Sequence, residues 1–578
     1  MEAAATAKEC GFALTLMVIT VIVVAPLIIL SSNELWEFGH TFLQTFRGDE
    51  DHMPLDDHLD VDADKLVTSP NLTSCHQSYG RDDLLVDCCP PEIAATQKFI
   101  DFTFPDPSTP QRVRRPAHLL DDDYIAKYNK AVSIMKSLPY SDPRSFRRQA
   151  DMHCIYCTGA YNKKYSNNVS LNIHGSWFFF PWHRMYLYFH ERILRSFIDD
   201  DVFALPFWNW DSPDGMTIPE MFLNHEALSH IQRDASHFPP RVVDFDFKGE
   251  ESGLGPEEQV EKNLAMMYHQ MVSGAKNTGL FMGCAYYPGE GGFCDGPGTL
   301  ELVPHNTLHA WVGSSFNPQR EDMGAFYSAA RDPIFYAHHS NIDRMWEVWM
   351  ELHGKAIDDP ARLGSYFYFY DENLQLVRVK VSDVVNITNL GYAYEKVDLP
   401  WLNKRPKPCV APRLARHVLK MRDDNNVSRL LLPSSPSSHA EFGASGRSLE
   451  TSMTVMVYRP RYKSTKKEKE EEEEVLVVYG IDVRSNLYVK FDVFVNLVDD
   501  TINIGPGFRE FAGTFVRLPQ ATNNDVGDRK RILKLGISEL VQDLEAEGDE
   551  SIWVTLLPRT RSSCINTTID GICIEYMG

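Results

Sequence analysis

The sequence predicts a mainly helical globular domain followed by a β-sandwich or barrel, behind an apolar leading helix. Three observations predict this. Between Pro181 and Ile198, Trp182, Met185, Tyr186, Phe189, Ile193 and Phe197 recur at helical spacing, and Pro181 suits a first helical turn. From Thr451 onward the segments TVMVY, VLVVYGIDV, LYVKFDVFVNLV, FAGTFVRL, SIWVTLL and GICIEY alternate, are rich in β-branched and aromatic residues, and are separated by turn residues. From Gly11 to Leu30 the chain is apolar except for two threonines, long enough to span a bilayer.

Residues 1–32 are read as a signal peptide or signal anchor. The apolar run exceeds the roughly 7–15 residue core of a cleavable signal, and no Arg-Arg pair precedes it. Residues 33–74 read as an acidic stem: Asp49 to Asp64 holds eight acids and no Lys or Arg. Residues 75–402 are the largest continuous globular stretch, with a second helix expected over Asp343–Leu352. Residues 403–450, with alternating Pro and basic residues and then PSSPSSH, have linker chemistry. Residues 451–578 form the β-domain, interrupted at Lys466–Glu474 by a charged run expected to be an exposed loop.

Composition narrows the function. With 43% hydrophobic and 24% charged residues the chain is not broadly disordered. A net charge of -23 argues against nucleic acid, since phosphate binding needs clustered Lys and Arg. Five N-x-Ser/Thr triplets, at Asn71, Asn168, Asn386, Asn426 and Asn566, join the leading segment in favouring the secretory pathway.

Of 20 histidines, six fall into two matched groups: His153, His174 and His183, then His305, His309 and His339. His305 and His309 are four apart and project from one face of a helix. No Glu follows His305, so the H-E-x-x-H zinc pattern is absent. Imidazole suits copper, zinc, iron and nickel. Two groups without matched carboxylate or thiol ligands point to two similar ions, each held by neutral nitrogens. Such ligands let copper change oxidation state without large charge relocation.

These groups lie within HCIYCTGAY (153–161), HGSWFFFPWHRMYLYFHERIL (174–194), LPFWNWDSPDGMTIP (205–219), GTLELVPHNTLHAWVG (298–313), MGAFYSAARDPIFYAHHSNIDRMWEVW (323–349) and KFDVFVN (490–496). In order and spacing they resemble the plant polyphenol oxidases of the type-3 copper family, which includes tyrosinases, catechol oxidases and haemocyanins. The resemblance runs from about Cys75 to the end. It implies a four-helix bundle around a dicopper centre, with His153, His174 and His183 on the first copper and His305, His309 and His339 on the second. The pattern D-P-x-F-x-x-x-H from Asp332 selects His339 over His338. Phe326 matches a gate over the second copper. Glu301 and Asn306 match a pair that holds a water able to deprotonate a monophenol; a helix-surface amide is the plainer reading of Asn306. The family pattern also implies disulfides Cys75–Cys89 and Cys88–Cys154, and a thioether joining Cys157 to His174.

The implied activity is oxidation of o-diphenols to o-quinones by O2, with ortho-hydroxylation of monophenols as a further step. The alternatives are a haemocyanin-like O2-binding protein and a zinc hydrolase. The C-terminal KFDV domain resembles one that shields the active site in a latent form, so protease cleavage within 403–450 is expected to activate. Where the family often has D-W-L, this chain has Ala361–Arg362–Leu363, which predicts altered packing only. The direct apolar leader, unlike a Ser-rich plastid-targeting sequence, points to a vacuolar or membrane-anchored lumenal location, with the thylakoid lumen as alternative. Of the 11 cysteines, Cys284, Cys294, Cys409, Cys564 and Cys573 are left without an assigned pairing.

Overall fold

The computed structural model describes residues 75–578 apart from 76, 80–83, 91–97, 159–172, 286–295, 355–356, 358, 413, 416–417, 420–438, 444–445, 462–471, 485, 499–503 and 521–529. The leading apolar segment, the acidic stem and the central part of the linker lie outside the described residues. Among the described residues no helix is long and apolar enough to cross a membrane.

Four helices carry the predicted histidines or lead into them: α1 (Phe146–Cys157), α2 (Phe179–Ile198), α3 (Thr307–Val312) and α4 (Ile334–His353). Ser145 caps α1 by accepting the Arg148 N–H, and Asp332 accepts the Ile334 N–H at the start of α4. The expected helices at 181–198 and 343–352 are present. The second begins nine residues early, because the aromatic run before Asp343 is itself helical and buried.

Buried charge sets the register of α2 against α4. Asp343, one turn after His339, accepts from Arg184 Nε at 2.5 Å, Arg114 Nη1 at 3.2 Å, and the Tyr392 and Tyr394 hydroxyls at 2.6 Å each. Glu191 on α2 takes Arg112 at 3.0 Å and Arg114 at 2.9 Å. Arg184 follows His183, so the network that satisfies Asp343 also fixes His183 beside His339. Removing one partner of such a network leaves an uncompensated buried charge.

The C-terminal domain is a sandwich of two antiparallel four-stranded sheets. Its strands are β1 (His439–Glu441), β2 (Met453–Tyr458), β3 (Glu473–Ile481), β4 (Val489–Val495), β5 (Phe511–Arg517), β6 (Arg531–Gly536), β7 (Ser551–Pro558) and β8 (Gly571–Met577). The sheet orders are β2-β7-β4-β5 and β6-β3-β8-β1. All six expected strands are present. β1 and β6 are additional, the first too short and the second too mixed in polarity (RILKLG) to stand out.

One expectation is corrected. The charged run does not end in an exposed loop: Glu473 and Glu474 begin β3 and are buried. Arg459 binds Glu474 at 2.7 Å, and the Ser538 N–H donates to Glu473 at 3.0 Å. Paired carboxylates enter the sheet where unpaired ones would not.

The sandwich packs on the helical domain through polar contacts. Lys490 of the KFDV run, fully buried, reaches Asp246 at 2.8 Å and Asp492 at 2.7 Å. Lys262 also binds Asp246 at 2.7 Å, and Arg559 binds Asp492 at 2.6 Å. The start of the linker is pinned as well: Arg405 pairs with Asp543 at 2.5 Å and the Cys409 N–H donates to Glu510 at 2.9 Å.

Candidate metal centre

All six predicted histidines are buried and come together between α1, α2, α3 and α4. His153 sits on α1 and His183 on α2. His174 lies in the turn before α2, and His339 is on α4. His305 and His309 are reached by a sharper route. Pro304 forces the preceding Val303 into an extended conformation (φ -147°, ψ 132°), so the helical turn carrying both histidines starts afresh there. Glu301 is on the turn before this break.

Backbone and amide oxygens decide which ring nitrogen faces inward. His153 Nδ1 is 3.0 Å from the Phe326 carbonyl and His183 Nδ1 is 2.7 Å from that of Phe179. His309 Nδ1 is 2.8 Å from the Met323 carbonyl, and His305 Nδ1 is 2.9 Å from Asn306 Oδ1. These oxygens only accept, so each Nδ1 carries the proton and each Nε2 presents a lone pair. Such outer contacts orient metal-ligating imidazoles.

The inward nitrogens of the second group converge. His309 Nε2 is 3.1 Å from His305 Nε2 and 3.3 Å from His339 Nε2. Donors about 2.0–2.1 Å from a common tetrahedral ion lie about 3.3 Å apart. Lone pairs at this separation repel, and a cation between them resolves the conflict. His338 joins this cluster: one donor atom from each of His305, His309, His338 and His339 lies within 4.8 Å of the others.

The first group is looser. His153 and His174 cluster with the Cys157 thiol, whose Sγ is 3.3 Å from His153 Nε2. The His183 ring is 5.5 Å from that of His153 and 5.3 Å from that of His174, and it stacks on His339 at 4.2 Å. His183 Nε2 is buried without a hydrogen-bond partner. Burial lowers the basicity of all six rings, with neighbouring histidines adding to it for several; His183 falls to about 3 and His309 to about 4. They are therefore neutral at ordinary pH, as metal ligands must be.

The remaining predicted residues surround this cluster. Glu301 accepts the Gly175 N–H at 2.8 Å, tying the His174 turn to the segment that leads to His305. Asn306 accepts from His305 and donates from Nδ2 to the Val516 carbonyl at 3.0 Å. The Phe326 ring stacks on His174 at 4.0 Å and stands 6.1 Å from His305 and His309, closer to the first group than the gate expectation implies. Its N–H meets the Pro519 carbonyl at 3.4 Å. Disulfides join Cys75 to Cys89 and Cys88 to Cys154, whereas Cys157 is in neither. Cys284 is disulfide-bonded. The carbonyls of Phe179, Phe326 and Met323 went unforeseen, since any residue type supplies a carbonyl.

Comparison with known proteins gives the same class. The model for the common central domain of tyrosinase matches residues 143–352, that for the polyphenol oxidase middle domain 356–407, and that for the chloroplastic polyphenol oxidase C-terminal domain 445–576. The chain is 45% identical to aureusidin synthase of Antirrhinum majus over 525 residues, covering 89% of each. It is 44% identical to a Malus domestica protein named as a chloroplastic polyphenol oxidase, covering 89% of this chain and 85% of the relative. The solved structure of latent apple tyrosinase superposes with a TM-score of 0.72 at 43% identity, over 83% of this chain and all of that one. Fold and nitrogen clusters together define a dicopper oxidase. The chain belongs to the plant polyphenol oxidases, and it is a copper enzyme that oxidises o-diphenols with O2.

Proposed function

We propose that His153, His174 and His183 hold one copper and His305, His309 and His339 the other. The observation that carries this reading is the convergence of three Nε2 atoms at 3.1 and 3.3 Å. The copper pair supplies the redox chemistry, coupling two-electron oxidation of the diphenol to reduction of O2. The protein holds the imidazoles neutral and oriented, and Phe326 offers an apolar face against which a phenol ring stacks. Cys157, beside both His153 and His174, is the thiol for a thioether to His174: the S–H and a ring C–H bond break, a C–S bond forms, and the protons and electron pair released pass to O2, the oxidant of the proposed reaction.

Glu301 and Asn306 are proposed to hold the water that takes the phenolic proton, which extends the activity to monophenols. In the full chain Asn306 Nδ2 is engaged by Val516, and Pro519 abuts Phe326. These contacts support a shielding role for the C-terminal domain. Cleavage within 403–450 then raises activity once the domain leaves. Equal catechol oxidation by full-length and trimmed protein would sink this idea.

Oxygen uptake by trimmed, copper-loaded protein with catechol, tyramine and tyrosine tests the reading. Uptake with catechol is required. Lag-phase uptake with a monophenol establishes hydroxylation, and its absence restricts the enzyme to diphenols. For location, the name of the Malus domestica relative favours the plastid alternative over the vacuolar reading. Fractionation of tagged protein decides between them and tests anchorage by residues 11–30.

A further inference from the structure

We infer that the seam between the helical domain and the sandwich holds a binding site for a small phosphate or sulfate ester. A cavity of about 680 Å³ lies there, within the size range of small-molecule sites. Lys248 and Arg320 line it from the helical domain, and Arg559, Thr560 and Ser563 from the sandwich. Glu250, exposed, is the one carboxylate among the described lining residues. The two walls are tied together. Gln319 Nε2 donates to the Asn486 carbonyl at 3.1 Å, and the Tyr488 hydroxyl donates to the Phe247 carbonyl at 2.7 Å.

The cations of this cavity are short of counter-charge. Lys248 stands 3.4 Å from Asp246, but Lys262 and Lys490 hold the same carboxylate at 2.7 and 2.8 Å. One carboxylate among three ammonium groups leaves Lys248, the farthest, under-compensated. Burial holds its amine below the usual range despite Asp246, and the neighbouring Arg559 and Lys262 push the same way. Arg320 donates to the Ala310 carbonyl at 3.3 Å and the Gly249 carbonyl at 3.1 Å, both neutral, while Asp234 is 3.7 Å away. Water in the cavity hydrates these groups but brings no charge. A tetrahedral dianion does, and ammonium, guanidinium and hydroxyl groups are the donors that suit it. The oxyanion alone leaves much of the volume empty, and Pro318, Leu487 and Pro519 line the rest, so the ligand carries an organic body. Because both domains supply donors, occupancy holds the sandwich against the helical domain. The lining also includes Ala310 and Gly324, which adjoin His309 and the Met323 whose carbonyl orients it.

Calorimetric titration of the full-length, copper-loaded chain with inorganic phosphate, and separately with inorganic sulfate, tests this, with chloride holding ionic strength constant. The expected result is saturable binding at one site per chain, accompanied by a raised thermal midpoint. Lys248→Gln weakens binding about tenfold, the loss of one charge-assisted hydrogen bond. Ser563→Asp, at a partly exposed point of the wall, sets a like charge against the anion and abolishes binding. Tighter binding of phosphate assigns a phosphate ester, and tighter binding of sulfate a sulfate ester. No saturable binding by the intact chain overturns the inference. Binding that both variants leave unchanged also overturns it, because the anion then sits elsewhere, the copper centre included. Thermal midpoints in chloride alone show whether each variant folds, and the intact chain's own titration remains decisive where one does not.

Discussion

At the scale of single residues, the centre is built by setting the proton on each imidazole. An oxygen acceptor at Nδ1 of His153, His183, His305 and His309 leaves Nε2 with the lone pair, as the proposed ligand role requires. Neutrality has a consequence for the metal-free chain. Burial holds His183 near 3 and His309 near 4, whereas an unfolded histidine titrates near its ordinary value of 6.5. Between these values the unfolded chain binds protons that the folded chain refuses, so stability falls as pH falls. Metal-free protein is expected to lose thermal stability from about pH 6.5 downward, by up to about 1.4 kcal/mol per pH unit per histidine. Melting curves between pH 7.5 and 5 check this, and a flat profile contradicts it. Most of this centre was legible in the sequence because metal-binding chemistry is written in residue type and spacing. The carbonyl acceptors and the stacking of Phe326 on His174 were not, because they depend on backbone path.

At the scale of elements, two features position the histidines. One is the close passage at Gly298, where an added Cβ would come within 1.8 Å of the Phe281 carbonyl oxygen. Only a residue without a side chain lets the strand of backbone entering Glu301 pass so near. Gly298→Ala is expected to cost about 3 kcal/mol and to misplace His305, read by denaturant unfolding and by copper content. The other is Asp343, which binds α2 to α4 through Arg184. Asp343→Asn leaves buried guanidinium groups under-compensated and is expected to cost about 3–5 kcal/mol in unfolding free energy. An effect below 1 kcal/mol would show that the network does not set the helix register. Helices and strands with strong periodicity were legible; β6 was not, because RILKLG is mixed in polarity, and the buried start of β3 was not, because it depends on the Arg459–Glu474 pair formed only in the folded chain.

At the scale of the whole molecule, buried charges join the sandwich to the helical domain. Burial alone would raise the carboxyls of Asp246 and Asp492, but Lys490 and other nearby cations outweigh it and hold both below the usual 3.8. A depressed carboxyl contributes stability that is complete above its unfolded value and is lost as pH falls through the folded one. The interface is therefore expected to hold above about pH 4 and weaken below it, seen as a falling thermal midpoint. Lys490→Met leaves Asp246 and Asp492 less compensated and is expected to raise the catechol oxidation of the uncleaved chain, measured as oxygen uptake. Unchanged oxygen uptake would remove Lys490 from the proposed shielding contact.

The central claim is that six histidines hold two coppers in two separate triads. Copper per chain, measured by elemental analysis on the intact protein and on His183→Ala and His305→Ala, tests it most directly. The account predicts two coppers in the intact chain, one in each variant, and no catechol oxidation by either variant. Two coppers retained in either variant, or zinc in place of copper in the active protein, would contradict it.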